Sequence, residues 1–363
     1  MKKYIFNEQK INNEYKYIFL CGTHYENKNK KDKRNILREF LNNKCKEYRT
    51  IILEDNFIFK KDNSRYLVYD DIHMKDLYQV EMLTNYLSDN NIIIHESIST
   101  GAETGLFLSE DSSIRKTCLL VPDEMAIEEN KIGQFIKLAF MRSPNPVKVI
   151  YYYPRVEENI LSNNVKYWHT FFYKDMIGAN LGAQILNFLK IDNLDYGIRF
   201  ARDSKKISNG YIHYCIKQQD LYIKALPRIF LCCIAAILNI NDCAKEIFNA
   251  EKKELKEYIN IIKQWLQIIF INTIEEKTGF IIKNCSVTAQ VNIKGVYISE
   301  IIGMCLYLFQ AAEFIEIVKD NDYQLNNKVE IKRKMIVYPD GSNHFFYEKY
   351  KKCIICAVET QIK

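Results

Sequence analysis

Glycine and proline are scarce in this chain, 12 and 6 of 363 residues, which excludes collagen-like repeats and low-complexity linkers. Long apolar runs are missing too. The richest, Ile229 to Ile240 (IFLCCIAAILNI), falls well short of the roughly 20 residues a membrane-spanning helix needs, and it reads as a buried helix. The N-terminal stretch MKKYIFNEQKINNEYK is interrupted by polar residues throughout, so it lacks the charged-then-apolar pattern of a signal peptide. Neither sign of charge dominates. With 51 basic and 45 acidic side chains the net charge is +6, which permits a nucleic-acid partner without requiring one. The densest basic run, Lys28 to Arg34, is broken by Asn29 and Asp32 and reads as a solvated loop. Eleven cysteines without a signal peptide point to free thiols in a reducing cytoplasm. The one CxxC, Cys353 to Cys356, has no second copy; it reads as two buried strand cysteines and not as a zinc knuckle or redox pair. No metal, cofactor or membrane association is expected.

What is present is a regular alternation over the first 150 residues. Short apolar runs at Tyr17–Cys21 (YIFLC), Tyr48–Leu53 (YRTIIL), Asn91–Ile94 (NIII), Thr117–Val121 (TCLLV) and Val147–Tyr153 (VKVIYYY) predict buried strands. Between them, Lys33–Cys45 and Lys75–Leu87 carry apolar residues at helical spacing, and a further helix is expected to open at Glu103. The fold class is therefore α/β, with an N-terminal doubly wound parallel sheet. The second half changes character. Helical patterns cover roughly 167–189, 218–238, 244–271 and 296–318, followed by strand-like runs at 329–338 and 345–350 around the turn Pro339-Asp340-Gly341-Ser342, and at 353–358. A mostly helical C-terminal domain ending in a β-hairpin is expected, with residues 1–160 and 161–363 as the two domains.

In a doubly wound sheet, ligands bind beyond the carboxyl ends of the strands. The residues to inspect there are Gly22, Thr23, His24 and Tyr25; Glu54 and Asp55; and the run His95 to Gly105 (HESISTGAETG), with Glu81 on the helix leading into the third strand. Carboxylates grouped with small residues suit cleavage of an N-glycosidic bond, which passes through an oxocarbenium-like sugar. One ionised carboxylate faces C1′ while others hold sugar hydroxyls or protonate the leaving base. Gly101 and Gly105 let a sugar approach the backbone closely. An acidic rim reads equally well as a solvated edge or a magnesium site. Asp55 reads as a turn residue and His95 as a rim or packing residue.

The order FLCG (Phe19 to Gly22), Glu54-Asp55, Glu81 in LYQVEML, Asp89 in SDNNIII, His95 to Ser97, AETGLF (Ala102 to Phe107) and RKTCLLVPDE (Arg115 to Glu124) resembles the nucleoside deoxyribosyltransferases. More closely, it resembles their relatives among the effector toxins of bacterial retrons. The resemblance implies Glu103 as nucleophile, Glu81 and Glu96 as acids contacting sugar or base, and Gly22, Tyr25, Glu54, Gly101 and Gly105 as substrate-binding positions. Asp89, at the entrance to its strand, is structural. The usual ELG is ETG here, with Thr104 replacing Leu, and Phe19 stands where a tyrosine often orients the nucleophile; Tyr25 is a substitute for it. The likeness extends to LPRIFLCCIAAILNI and CAKEIF, which implies a C-terminal region ending in a winged-helix-like part. The implied substrate is a nucleoside or nucleotide. The implied partners are a reverse transcriptase, its RNA–DNA hybrid, and further copies of the chain. An NAD glycohydrolase and a non-catalytic nucleotide sensor are the alternatives.

Overall fold

The computed structural model describes residues 2–11, 15–23, 32–54, 77–109, 111–122, 134, 137–154, 170–173, 176–190, 197–202, 210–217, 220–250, 254–280, 287–291, 293, 295–325, 328–336 and 348–357. The chain forms two compact units, each built from separate segments: Tyr15–Asp55 with Thr84–Asn193, and Met1–Glu14 with Asn56–Leu83 and Leu194–Lys363.

The first unit holds a five-stranded parallel sheet: β1 (Lys16–Cys21), β2 (Tyr48–Ile51), β3 (Asn90–Ile94), β4 (Thr117–Pro122) and β5 (Lys148–Tyr152). Its order is β2-β1-β3-β4-β5, every pair parallel. Alternate residues of the strands face opposite ways. Ile18, Leu20, Ile92, Ile94, Cys118, Leu120, Ile150 and Tyr152 form one core with Ile36, Leu37 and Leu41 of α1 (Lys33–Lys44) and with Leu181, Ile185 and Phe188 of α4 (Ala179–Leu189). On the other face Phe107 of α3 (Ile98–Leu108) lies against Phe19, ring centroids 5.7 Å apart. The five strands and α1 lie where the apolar runs predict them.

Polar side chains fix the amino ends of these strands. Asp89 Oδ2 accepts from Tyr17 N at 2.7 Å, and Asp89 N donates to the Tyr17 carbonyl at 2.8 Å, which gives this carboxylate its structural part. Lys116 is buried and donates to the Ser88 carbonyl at 2.9 Å and to the Asn85 carbonyl, covering carbonyls left open at the end of α2 (Leu77–Leu87). Asn91 bridges Asn85 Oδ1 at 2.7 Å and Thr117 Oγ1 at 3.2 Å.

The second unit is less helical than expected. A four-stranded mixed sheet, β6 (Phe200–Arg202), β7 (Ile212–Lys217), β8 (Asp220–Ala225) and β9 (Val287–Val291), runs in that order, with β7 and β8 antiparallel and the outer pairs parallel. Within the stretch expected to be helical from Gln218, Asp220–Ala225 is thus a strand, because DLYIKA alternates with period two. Helices α5 (Pro227–Leu238), α6 (Asn241–Phe248), α7 (Leu255–Thr278) and α8 (Ile298–Ala311) follow, with α5, α7 and α8 packed on one another. Every residue of α5 is buried, and Pro227 starts it where a missing N–H has no consequence. The N-terminal strand Lys3–Phe6 pairs antiparallel with Ile354–Ala357 and is tied to α7 through Phe6 N to Thr273 Oγ1, 2.9 Å, and Asn272 Nδ2 to the Tyr4 carbonyl, 3.0 Å.

A β-hairpin is present on different segments from those expected: β10 (Glu316–Leu325) pairs with β11 (Lys328–Ile336), its base seated by buried Ile317 and Met335. The Pro339 to Ser342 turn lies outside the described residues, and residues 348–350 are helical where a strand was expected. Cys353 is buried in a short 3₁₀ turn, but Cys356 is exposed, on a strand whose two central residues, Ile355 and Cys356, both reach solvent. Among the described residues no single helix is long and apolar enough to cross a membrane; α5 and α6 together reach that length but meet at 82°.

Candidate functional site

The site is built in the sheet unit, where α1 begins between the ends of β2 and β3. Asp32 caps α1 by accepting from Arg34 N at 2.8 Å. The helix's first two residues then reach in different directions. Arg34, 2% exposed, donates Nη1 to Glu54 Oε1 at 2.6 Å and Nη2 to the Thr23 carbonyl, joining the loops after β1 and β2. Gly22 makes room for it, since a Cβ there would stand 3.1 Å from both Cδ and Nε of Arg34. Lys33 Nζ pairs with Glu96 Oε1 at 2.5 Å, and the same oxygen accepts from the Tyr152 hydroxyl at the end of β5. The Lys33 ammonium also lies 5.5 Å above the Tyr152 ring. Burial, and then the neighbouring Glu96, push the Tyr152 phenol well above its ordinary pKa, so it stays a donor. The basic run expected to be a solvated loop therefore ends in two site residues. Arg34 is buried because two acceptors and a glycine gap receive it.

Helix α3 opens at Ile98, five residues before Glu103. Ser97 caps it, and Ser97 and Thr100 form a reciprocal capping box. Glu103 consequently sits in the second turn, not at the free N–H groups of the first, so those groups lie a turn away from its carboxylate. It is half-buried, with Oε2 enclosed. Thr104, where a leucine is usual, faces the core with its hydroxyl on the Thr100 carbonyl at 2.6 Å. At about 100° per residue, Gly101 and Gly105 lie on the flank of α3 roughly 180° from Glu103. A Cβ at Gly101 would be 3.7 Å from His95 Cε1, and one at Gly105 would meet nothing within 4 Å. These glycines and Glu103 are not brought to one side. His95 is half-buried beside them, and burial lowers its pKa, partly offset by a hydrogen bond with the Thr100 backbone.

Of the positions predicted from sequence, the sheet unit thus brings Gly22, Glu54 and Glu96 to its carboxyl end, with Glu103 in the second turn of α3. Glu81, the fifth residue of α2, is half-buried and belongs to the second unit. Tyr25, His24 and Asp55 lie outside the described residues. Among the described residues no group of three or more His, Cys, Asp or Glu is placed to hold a metal ion. The reversal of strand order at β1 and β3 opens the sheet beside Gly22 and Glu96, where parallel α/β sheets take their ligands.

A family model for the STM3845 retron effector protein matches residues 30–336, most of the chain. The chain belongs to this retron effector family. No curated protein and no solved structure matches it. As a retron effector it is a defence protein associated with a retron system. The matched span covers parts of both units, and Lys33, Arg34, Glu54, Glu96, Glu103 and Tyr152 all fall inside it.

Sequence reasoning missed Lys33, Arg34 and Tyr152. The Asp32 cap two residues before Arg34 is a usable signal for the first pair. Nothing in VKVIYYY marks Tyr152 from its neighbours.

Proposed function

We propose that this retron effector is an N-glycosidase that hydrolyses the bond between base and sugar of a nucleoside or nucleotide, with a nucleoside deoxyribosyltransferase-like, doubly wound first unit. The observation that carries the reading is Glu96 directly after β3 at the carboxyl end of a parallel sheet, beside the reversal of strand order, with Glu103 in the second turn of the helix that follows. Two carboxylates beside one ligand position are the minimum that glycosidic chemistry needs. Glu103 attacks C1′ or stabilises the oxocarbenium-like sugar, its half-buried setting strengthening its interaction with developing positive charge. Water completes the hydrolysis. Glu54 is held by Arg34 and serves to fix the rim.

The second unit is read as the interaction half, with a winged-helix-like part. The reverse transcriptase and its RNA–DNA hybrid keep the effector silent, and the effector itself assembles as a homo-oligomer. Chromatography of reactions with deoxynucleosides, nucleotides and NAD tests the activity. A free purine or pyrimidine supports the reading, nicotinamide moves the effector to the NAD-consuming class, and silence free of any partner leaves a nucleotide sensor.

A further inference from the structure

Both hydrogen-bond partners of Glu96 use the same oxygen. Oε1 takes the Lys33 ammonium and the Tyr152 hydroxyl, while Oε2 accepts no hydrogen bond from the described residues. The Glu96 side chain is 21% exposed, at the carboxyl end of β3. Tyr152 is fully buried, its ring edge-on to Phe172 at 5.2 Å, so phenylalanine fills the same space and packing alone does not require a hydroxyl. Two donors occupy Oε1, so a ligand hydroxyl meets Oε2. With Oε1 pinned from two directions, the carboxyl plane cannot turn, and Oε2 has a fixed aim. A preset acceptor of this kind recognises a ligand O–H at little entropic cost.

We propose that Tyr152 and Lys33 are positioning residues that aim Glu96 Oε2 at a sugar hydroxyl of the bound ligand, making Glu96 a hydrogen-bond acceptor for the sugar. The nature of the ligand rests on the glycosidase reading; the pinned carboxylate does not. Glu96 then sets preference among sugars: ligands carrying the matched hydroxyl bind better than those lacking it, because the analogue gives Oε2 no donor.

The test compares a ribonucleoside with its 2′-deoxy and 3′-deoxy analogues, in wild type, Tyr152→Phe and Lys33→Met. Binding is measured by calorimetry in a Glu103→Gln background, and turnover in the Glu103 protein. The wild type is expected to favour the matched hydroxyl by about tenfold over one analogue. In Tyr152→Phe that ratio falls toward one, through KM, with kcat changed less than about threefold. Lys33, partly exposed, gives a second variant that leaves the core untouched and reads the same ratio. If both variants keep the wild-type ratio, or weaken all three ligands equally, Tyr152 and Lys33 are merely structural and the proposal is overturned. A wild type that releases no base, yet binds with a ratio that collapses in Tyr152→Phe, sinks the glycosidase reading and keeps this one. Absence of any riboside binding overturns both.

Discussion

Replacing Arg34 by methionine tests the frame that carries the site. The change keeps most of the apolar stem and removes the bonds to Glu54 Oε1 at 2.6 Å and to the Thr23 carbonyl. A hydrogen bond from a charged group contributes about 1.5–3 kcal/mol, more where the partner left behind is buried. Glu54 is 24% exposed at its side chain, so water takes over part of its bond and the lower figure applies. Two such bonds sum to about 3 kcal/mol, a large share of the roughly 5–15 kcal/mol that holds a domain folded. Urea unfolding followed by circular dichroism measures the loss. A double-mutant cycle with Glu54→Gln isolates the pair, with a coupling of about 1.5 kcal/mol expected. An Arg34→Met protein within about 0.5 kcal/mol of wild type would refute the clamp and return the basic run to a solvated surface.

Three further outcomes follow from the same geometry. Gly22→Ala is expected to destabilise by about 1 kcal/mol through its contact with the Arg34 stem, and by less in an Arg34→Ala background, as urea midpoints will report. Asp89→Ala removes the acceptor of Tyr17 N and is expected to lower stability by about 2 kcal/mol while leaving activity per folded molecule unchanged, measured by unfolding and turnover together. His95 has a folded-state pKa below its unfolded value near 6.5, so the unfolded chain binds the extra proton. Stability falls as pH drops below about 6.5, and His95→Gln flattens that decline in melting curves taken from pH 7.5 to 5. An unchanged slope would show that His95 does not carry the effect.

The sheet was legible because strands buried on both faces leave unbroken apolar runs, and YIFLC, NIII and TCLLV are all of that kind. Its ends were less so. The start of α3 was missed because its capping box uses Thr100 where an acid or amide is the usual signal. The mixed sheet of the second unit was hidden because YIHYCIK and DLYIKA adjoin the apolar helix α5, and their period of two merges with its pattern. The hairpin was assigned to Asp340-Gly341, the stronger turn signal, while β10 and β11 flank Asn326-Asn327. In the site, the acids Glu54, Glu96 and Glu103 were readable from their places after strands. Their partners were not, since sequence gives no sign that Lys33 and Arg34 turn inward or that Tyr152 reaches across from β5.

The most direct test of the account is base release by the purified effector, freed of its partners, beside its Glu103→Gln variant. Glu103→Gln keeps shape and removes the charge we propose to face C1′, so release by the wild type and a fall of at least about a hundredfold in the variant are predicted. Equal release by both proteins, or none from the wild type, would contradict the assignment of Glu103 and with it the glycosidase.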